Sequence, residues 1–147
     1  MKWTIDIDGL PDKKLNPNRS GVADRKLIAA KRQNKNAMRL YRKHHSVTPE
    51  EPMFSRDSPC KITITFVAKN YGGGNGHDLD NLLASLKSTI DSLEPDVEKQ
   101  FGRSVVLQQG VIANDSVRVI REYHVRYVIG TPERTIIEIE GIDEPKT

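Results

Sequence analysis

One cysteine, Cys60, occurs in 147 residues. A lone thiol closes no internal disulfide, and nothing around it has the spacing of a zinc site. A reducing, cytoplasmic setting is therefore expected. No run approaches the roughly 18 apolar residues that a membrane helix needs. The N-terminus, MKWTIDIDGL, alternates like a strand and lacks the apolar block of a signal peptide. No membrane partner is expected. Aromatic residues are only 5% of the chain, and Trp3, Tyr41, Tyr71 and Tyr123 are too scattered to predict a base-stacking platform.

The charge is abundant but unevenly placed. Residues 13–43 carry eleven cations (Lys13, Lys14, Arg19, Arg25, Lys26, Lys31, Arg32, Lys35, Arg39, Arg42 and Lys43) against one acid, Asp24. That segment is +10, and the remainder is −7 to reach the total of +3. One acid cannot pair so many cations locally, so a polyanion is the expected partner, with nucleic acid the commonest. Arg25, Lys31, Arg32, Lys35, Arg39, Arg42 and Lys43 are the candidate DNA-binding residues.

Residues 2–8 alternate Trp3, Ile5 and Ile7 with polar neighbours and predict a first strand. Pro11 and Pro17 mark a loop over 12–20. A helix is predicted over about 22–43, with Leu27, Ala30, Ala37 and Tyr41 as an apolar stripe interrupted by Asn34 and Arg32, Lys35, Arg39 and Arg42 on another face. Residues 60–68 form the cleanest strand, Cys60, Ile62, Ile64, Phe66 and Ala68 facing one way. A glycine-rich loop, NYGGGNGH at 70–77, leads into a second helix over 79–93, where Leu79, Leu82, Leu83, Leu86, Ile90 and Leu93 recur at helical spacing. Pro95, Asp96 and Glu98 suit the start of a short helix ending near Gly102. Strands are predicted over 104–112, 117–129 (Val117, Val119, Tyr123, Val125, Tyr127 and Ile129 on one face) and 134–140. The order β-α-β-α-β-β-β predicts one α+β domain over residues 1–147, a mixed sheet packed against two main helices.

Chemistry concentrates in Gly76-His77-Asp78-Leu79-Asp80-Asn81-Leu82-Leu83 and, downstream, in Gly110-Val111-Ile112-Ala113-Asn114-Asp115-Ser116. Magnesium is held by one to three carboxylates plus waters and phosphate oxygens, so clustered aspartates are suitable ligands. Residues two apart within a helix point roughly 200° away from each other. Asp78 must therefore precede the helix, as cap or loop, if it is to converge with Asp80. Asp80, Ala84, Lys87 and Asp91 share one helical face, which sets Lys87 near any phosphate bound at Asp80. Aspartates at a helix start also serve capping and the helix dipole.

The string HDLDNLL, the helix ending in Asp91-Ser92-Leu93 and the downstream Gly-Val-Ile-x-Asn-Asp-Ser resemble the RusA-type Holliday-junction resolvases. These are small, dimeric, Mg²⁺-dependent endonucleases common in phages and prophages. The likeness covers about residues 60–140 and is specific at Asp78, Asp80, Asn81 and Asp115. It implies that Asp78, Asp80 and Asp115 are the catalytic metal ligands, with Mn²⁺ a substitute for Mg²⁺. The family's catalytic lysine, four residues after the second aspartate, is replaced by Ala84, and Lys87, one turn on, is the candidate catalytic replacement. Asn114 stands where a paired aspartate is usual, and the segment from Glu94 to Gln109 is longer than in compact members. The resemblance implies a homodimer that resolves four-way or other branched DNA in recombination and repair. The alternatives are a catalytically weakened junction-binding dimer and a nuclease for another branched DNA, such as a flap.

Overall fold

The computed structural model describes residues 1–17, 24–45, 49–72 and 77–143, with only the backbone at Asp24. Arg19, the expected helix start at 22 and positions 73–76 of the glycine loop lie outside the described residues. The elements are β1 (Lys2–Asp8), a 3₁₀ turn (Lys13–Leu15), α1 (Asp24–His45), β2 (Cys60–Ala68), α2 (Leu79–Ser85), α3 (Lys87–Asp91), β3 (Asp96–Gln100), β4 (Arg103–Gln108), β5 (Ile120–Ile129) and β6 (Arg134–Gly141). The fold is α+β, as expected. No described helix is long and apolar enough to cross a membrane.

Four strands form one mixed sheet in the order β1-β6-β2-β5. β6 is antiparallel to both its neighbours, and β5 runs parallel to β2. Trp3 and Ile5 pair with Ile139 and Ile137, which on their other side face Ile62 and Ile64. Those two pair in turn with Tyr123 and Val125. Directly paired residues share a face, so an apolar band crosses all four strands on one side. Leu82, Leu86, Ile90 and Leu93 cover that band and complete the core. Ile62, Ile64, Ile137 and Ile139 are fully enclosed, and truncating any of them to alanine would cost about 2–5 kcal/mol. The opposite face carries Lys2, Lys61, Glu138 and Glu140, paired at 3.4 and 3.7 Å. Such exposed pairs add little stability.

The second helix arrives in two pieces. At Leu86 the amide reaches back only three residues, to the Leu83 carbonyl at 3.0 Å, and the α ladder resumes with Ile90 N–H bonding Leu86 O at 3.0 Å. The apolar stripe survives the joint because its members are spaced by four, four and three residues. Ser85, Ser88, Thr89 and Ser92 are also buried. Asn34 of α1 explains two of them, donating from Nδ2 to Ser88 Oγ (2.8 Å) and Thr89 Oγ1 (2.9 Å). The asparagine that interrupts the apolar stripe of α1 is thus a polar latch between helices. Ala37, expected in that stripe, is exposed, and Arg42 takes the inner position instead.

The short helix expected from Pro95 to Gly102 is a β-hairpin. Val97 pairs with Val106 and Glu98 with Val105, and Phe101-Gly102 makes the two-residue connection. Both turn residues have positive φ, 52° and 77°, the geometry whose twist matches a two-residue hairpin. Val97, Val105 and Val106 favour the pleated strand over the helix. The helix-start signals at Pro95 and Asp96 are outweighed. At the hairpin's base, Gly110 runs so close to Leu93, Glu94 and Pro95 that a Cβ would sit 2.6–2.7 Å from their backbone atoms. Only glycine fits there.

The strand expected from 117 begins at Ile120. The Ser116 carbonyl accepts both Val119 and Ile120 N–H groups, at 3.0 and 2.9 Å, and this turn breaks the alternation. Val119 is buried while Val117 is 80% exposed.

Candidate functional site

Asp78 is the N-cap of α2. Its backbone is extended (φ −93°, ψ 122°) and its Oδ1 accepts the Asp80 N–H at 2.9 Å. It therefore stands outside the helix, the position that convergence with Asp80 would require. Asp80 occupies the first turn, where a carboxylate is favoured by the helix dipole.

Asp80, Ala84 and Lys87 line one open concavity of about 550 Å³, joined by Leu83 and Ile90 from beneath, Tyr123 of β5, Lys31 of α1 and Asp115. Asp115 is brought there by the Ser116 turn that precedes β5, and Glu94 Oε1 fixes its backbone by accepting its N–H at 2.9 Å. Residues 35 positions apart in sequence thus share one wall. Asp78 is not among the lining residues.

Lys87 Nζ donates to Asp91 Oδ1 at 2.8 Å and to Asp115 Oδ2. Desolvation at the wall works against its ammonium, but the hydrogen bonds and charges of Asp115 and Asp91 prevail and hold its pKa above the usual lysine range. The same hydrogen bond from Lys87 holds the Asp115 carboxyl below the ordinary carboxylate range. Glu94 moves the other way, raised first by burial and then by the charge of Asp115. Burial pushes the Tyr123 phenol up to about 12, so it faces the concavity as a neutral hydroxyl.

Compared with known proteins, the chain matches no protein-family model, and no curated protein is similar enough to count as a relative.

The donors suit a hard divalent cation, being carboxylate oxygens already gathered round a positive charge. Among the described residues, however, no three of His, Cys, Asp and Glu are grouped closely enough to hold a metal ion. The structure thus brings Asp80, Lys87 and Asp115 together, and leaves Asp78 as the helix cap outside that lining. Asp91 and Glu94 were not singled out as functional residues by sequence. Asp91 had a signal, since it shares the helical face of Asp80 and Lys87; Glu94 had none, because it acts through a residue 21 positions away.

The cationic strip of α1 divides. Arg25, Arg32 and Lys43 are exposed, and Lys31 and Lys35 are half-buried. Lys31 faces the concavity, and the charge of Lys35 is felt at Glu94. Arg39 is turned inward, with Nη1 3.3 Å from Asp96 Oδ1. Arg42 is 1% exposed and donates to Gln109 O (2.7 Å) and Ser92 O (3.2 Å). Expected at a nucleic-acid surface, it instead satisfies carbonyls where α3 ends and the hairpin returns. It recurs four and eight residues after Met38 and Asn34, on the inward face.

A second grouping escaped sequence reading. Tyr71 stacks on Tyr127 with ring centroids 6.1 Å apart, and His77 approaches Tyr127 at 5.6 Å. These rings gather beside Asp78 because β2 and β5 run parallel and end together, at Ala68 and Ile129.

Proposed function

We propose that this chain is a magnesium-dependent endonuclease for branched DNA, four-way junctions foremost, acting as a homodimer. The observation that carries the reading is the shared concavity of Asp80, Lys87 and Asp115, with α1 bringing Lys31 to its rim. Asp80 and Asp115 would hold Mg²⁺ or Mn²⁺, with Asp78 capping the helix that carries Asp80. Bound there, the metal supplies an activated water and stabilises charge on the scissile phosphate. The chain's own groups do the positioning. Arg25, Arg32, Lys31, Lys35 and Lys43 attract and orient the phosphodiester backbone. Lys87 keeps Asp115 ionised and sets a cation beside the phosphate. Glu94 holds the Asp115 backbone in place. Two symmetric cuts across a junction require two such sites, which is the reason for a dimer.

The test is a synthetic four-way junction incubated with the protein with and without Mg²⁺, beside flap and linear duplex controls. Paired nicks on the junction that need the metal support the reading. Preferential cutting of flaps would reassign the target, and no cutting of any substrate would remove the nuclease.

Two observations favour a second reading, a junction-binding protein without cleavage. Lys87 is already engaged by two carboxylates, and the site lacks a lysine at Ala84. Tight junction binding with no metal-dependent product would select this alternative.

A further inference from the structure

The β3–β4 hairpin is tied down at its base and bare along its length. Arg39 pairs with Asp96 at 3.3 Å, and its carbonyl accepts from Gln108 Nε2 at 3.2 Å, while Arg42 donates to Gln109 O. Both ends of the ribbon emerge beside the site, one at Glu94, which holds Asp115, and the other at Gly110. Beyond that anchor every residue from Val97 to Leu107 is exposed. β3 and β4 form a separate two-stranded sheet. An isolated hairpin is marginally stable in water, and Val97, Val106 and Leu107 stay about half exposed on it.

The tip is the most informative part. Lys99-Gln100-Phe101-Gly102-Arg103-Ser104 carries two cations and no acid, the ribbon's acids, Asp96 and Glu98, lying nearer its base. Phe101 is fully exposed (104%) and holds φ at 52°. Asparagine is the favoured residue at that turn position, and phenylalanine adopts it at a cost. The two-residue turn accounts for the backbone conformation but not for the choice of phenylalanine, whose exposed ring gains nothing from folding. A planar apolar ring flanked by two cations matches a ligand that offers π-faces between phosphates, which is nucleic acid with an accessible base.

We propose that Phe101 is a wedge that stacks on an unpaired or unstacked base at the branch point, with Lys99 and Arg103 on the adjoining phosphates. This rests on the nucleic-acid reading above and adds a selectivity element to it: the hairpin recognises the branch and the aspartate concavity addresses the backbone. A linear duplex presents no free base face, so the wedge discriminates branched from linear DNA.

The test uses the full-length protein, a four-way junction carrying 2-aminopurine at the crossover, and a linear duplex of the same length. Phe101→Asn makes an Asn-Gly turn, so the hairpin should stay folded; Phe101→Trp retains a stacking ring. Junction affinity of Phe101→Asn should fall about 5- to 100-fold, the scale of one base–aromatic stack, with linear-duplex affinity unchanged. The 2-aminopurine signal that the parent induces should disappear in Phe101→Asn and persist in Phe101→Trp. Equal loss on both DNAs, or an unchanged aminopurine signal, would overturn the wedge while leaving the nuclease reading in place. A parent that binds neither DNA would overturn both. A shift of Phe101→Asn from dimer to monomer in sedimentation, with junction affinity per protomer unchanged, would assign the tip to a protein interface instead.

Discussion

The guanidinium of Arg42 donates to the Gln109 carbonyl at 2.7 Å and to the Ser92 carbonyl at 3.2 Å from a site only 1% exposed. Burial lowers its pKa, and the nearby charge of Arg39 adds to that effect. It nonetheless bridges α1 to the end of α3 and to the returning strand of the hairpin. Arg42→Met should destabilise the fold by about 2–4 kcal/mol, because the buried Ser92 carbonyl and the partly buried Gln109 carbonyl lose their donor. Urea denaturation measures this. A loss below about 0.5 kcal/mol would show that water takes over both carbonyls.

The exposed cations of α1 should behave in the opposite way. Replacing Arg25, Arg32 and Lys43 by alanine should leave the urea midpoint nearly unchanged, since none is enclosed. Junction affinity should fall. The slope of log affinity against log salt should flatten by about 0.9 for each phosphate that is no longer neutralised. Unchanged slope and affinity would show that this face is merely solvated.

Strong period-two alternation placed β1 and β2 to within a residue, and the angular argument from Asp80 placed Asp78 outside the helix. Both depend on local geometry alone. Arg42 was misplaced because a cation in an amphipathic pattern was assigned to solvent, whereas its role depends on carbonyls 50 and 67 residues away. The hairpin was missed because Pro95 and Asp96 are sound helix-start signals, while the deciding pairing of Val97 with Val106 is non-local. The convergence of Asp80 and Asp115 was implied by the family resemblance, since no local pattern joins two segments so far apart. The hold of Lys87 and Glu94 on Asp115 is a product of tertiary packing that no single segment announces.

Cys60 provides a pH test of the core. Its side chain is fully enclosed at the start of β2, and burial pushes the thiol up to about 11. An unfolded cysteine ionises near pH ~8.5. The folded state therefore binds the proton more tightly, and that contribution is fully present below the unfolded value. It is lost as pH rises towards about 11. Urea midpoints should fall between about pH 8 and 11, and Cys60→Ala should flatten that part of the profile while lowering stability at neutral pH. In the native protein at about pH 8 the thiol should resist alkylation and react only on unfolding. Prompt native-state alkylation would place Cys60 at an accessible surface.

The aspartate site separates binding from chemistry. Acidic groups where a phosphate must land repel it unless a cation intervenes. Asp115→Asn keeps the shape of the side chain, removes one charge and frees Lys87 from one of its two carboxylates. Junction binding measured without metal should hold steady or tighten. Metal-dependent cleavage should fall by roughly a hundredfold or more, the scale of losing a preorganised electrostatic group. Asp91→Asn is the informative companion, because Asp91 touches Lys87 at 2.8 Å but does not line the concavity. It should cost much less cleavage than Asp115→Asn while similarly lowering the Lys87 pKa, which NMR titration of the lysine ammonium reports. Equal losses in both variants would mean that the lysine, rather than Asp115 itself, carries the effect. If Asp115→Asn cuts at the parental rate, Asp115 serves only the turn before β5 and the proposed metal site is wrong. Circular dichroism of each variant guards against a collapse of the fold being taken for loss of chemistry.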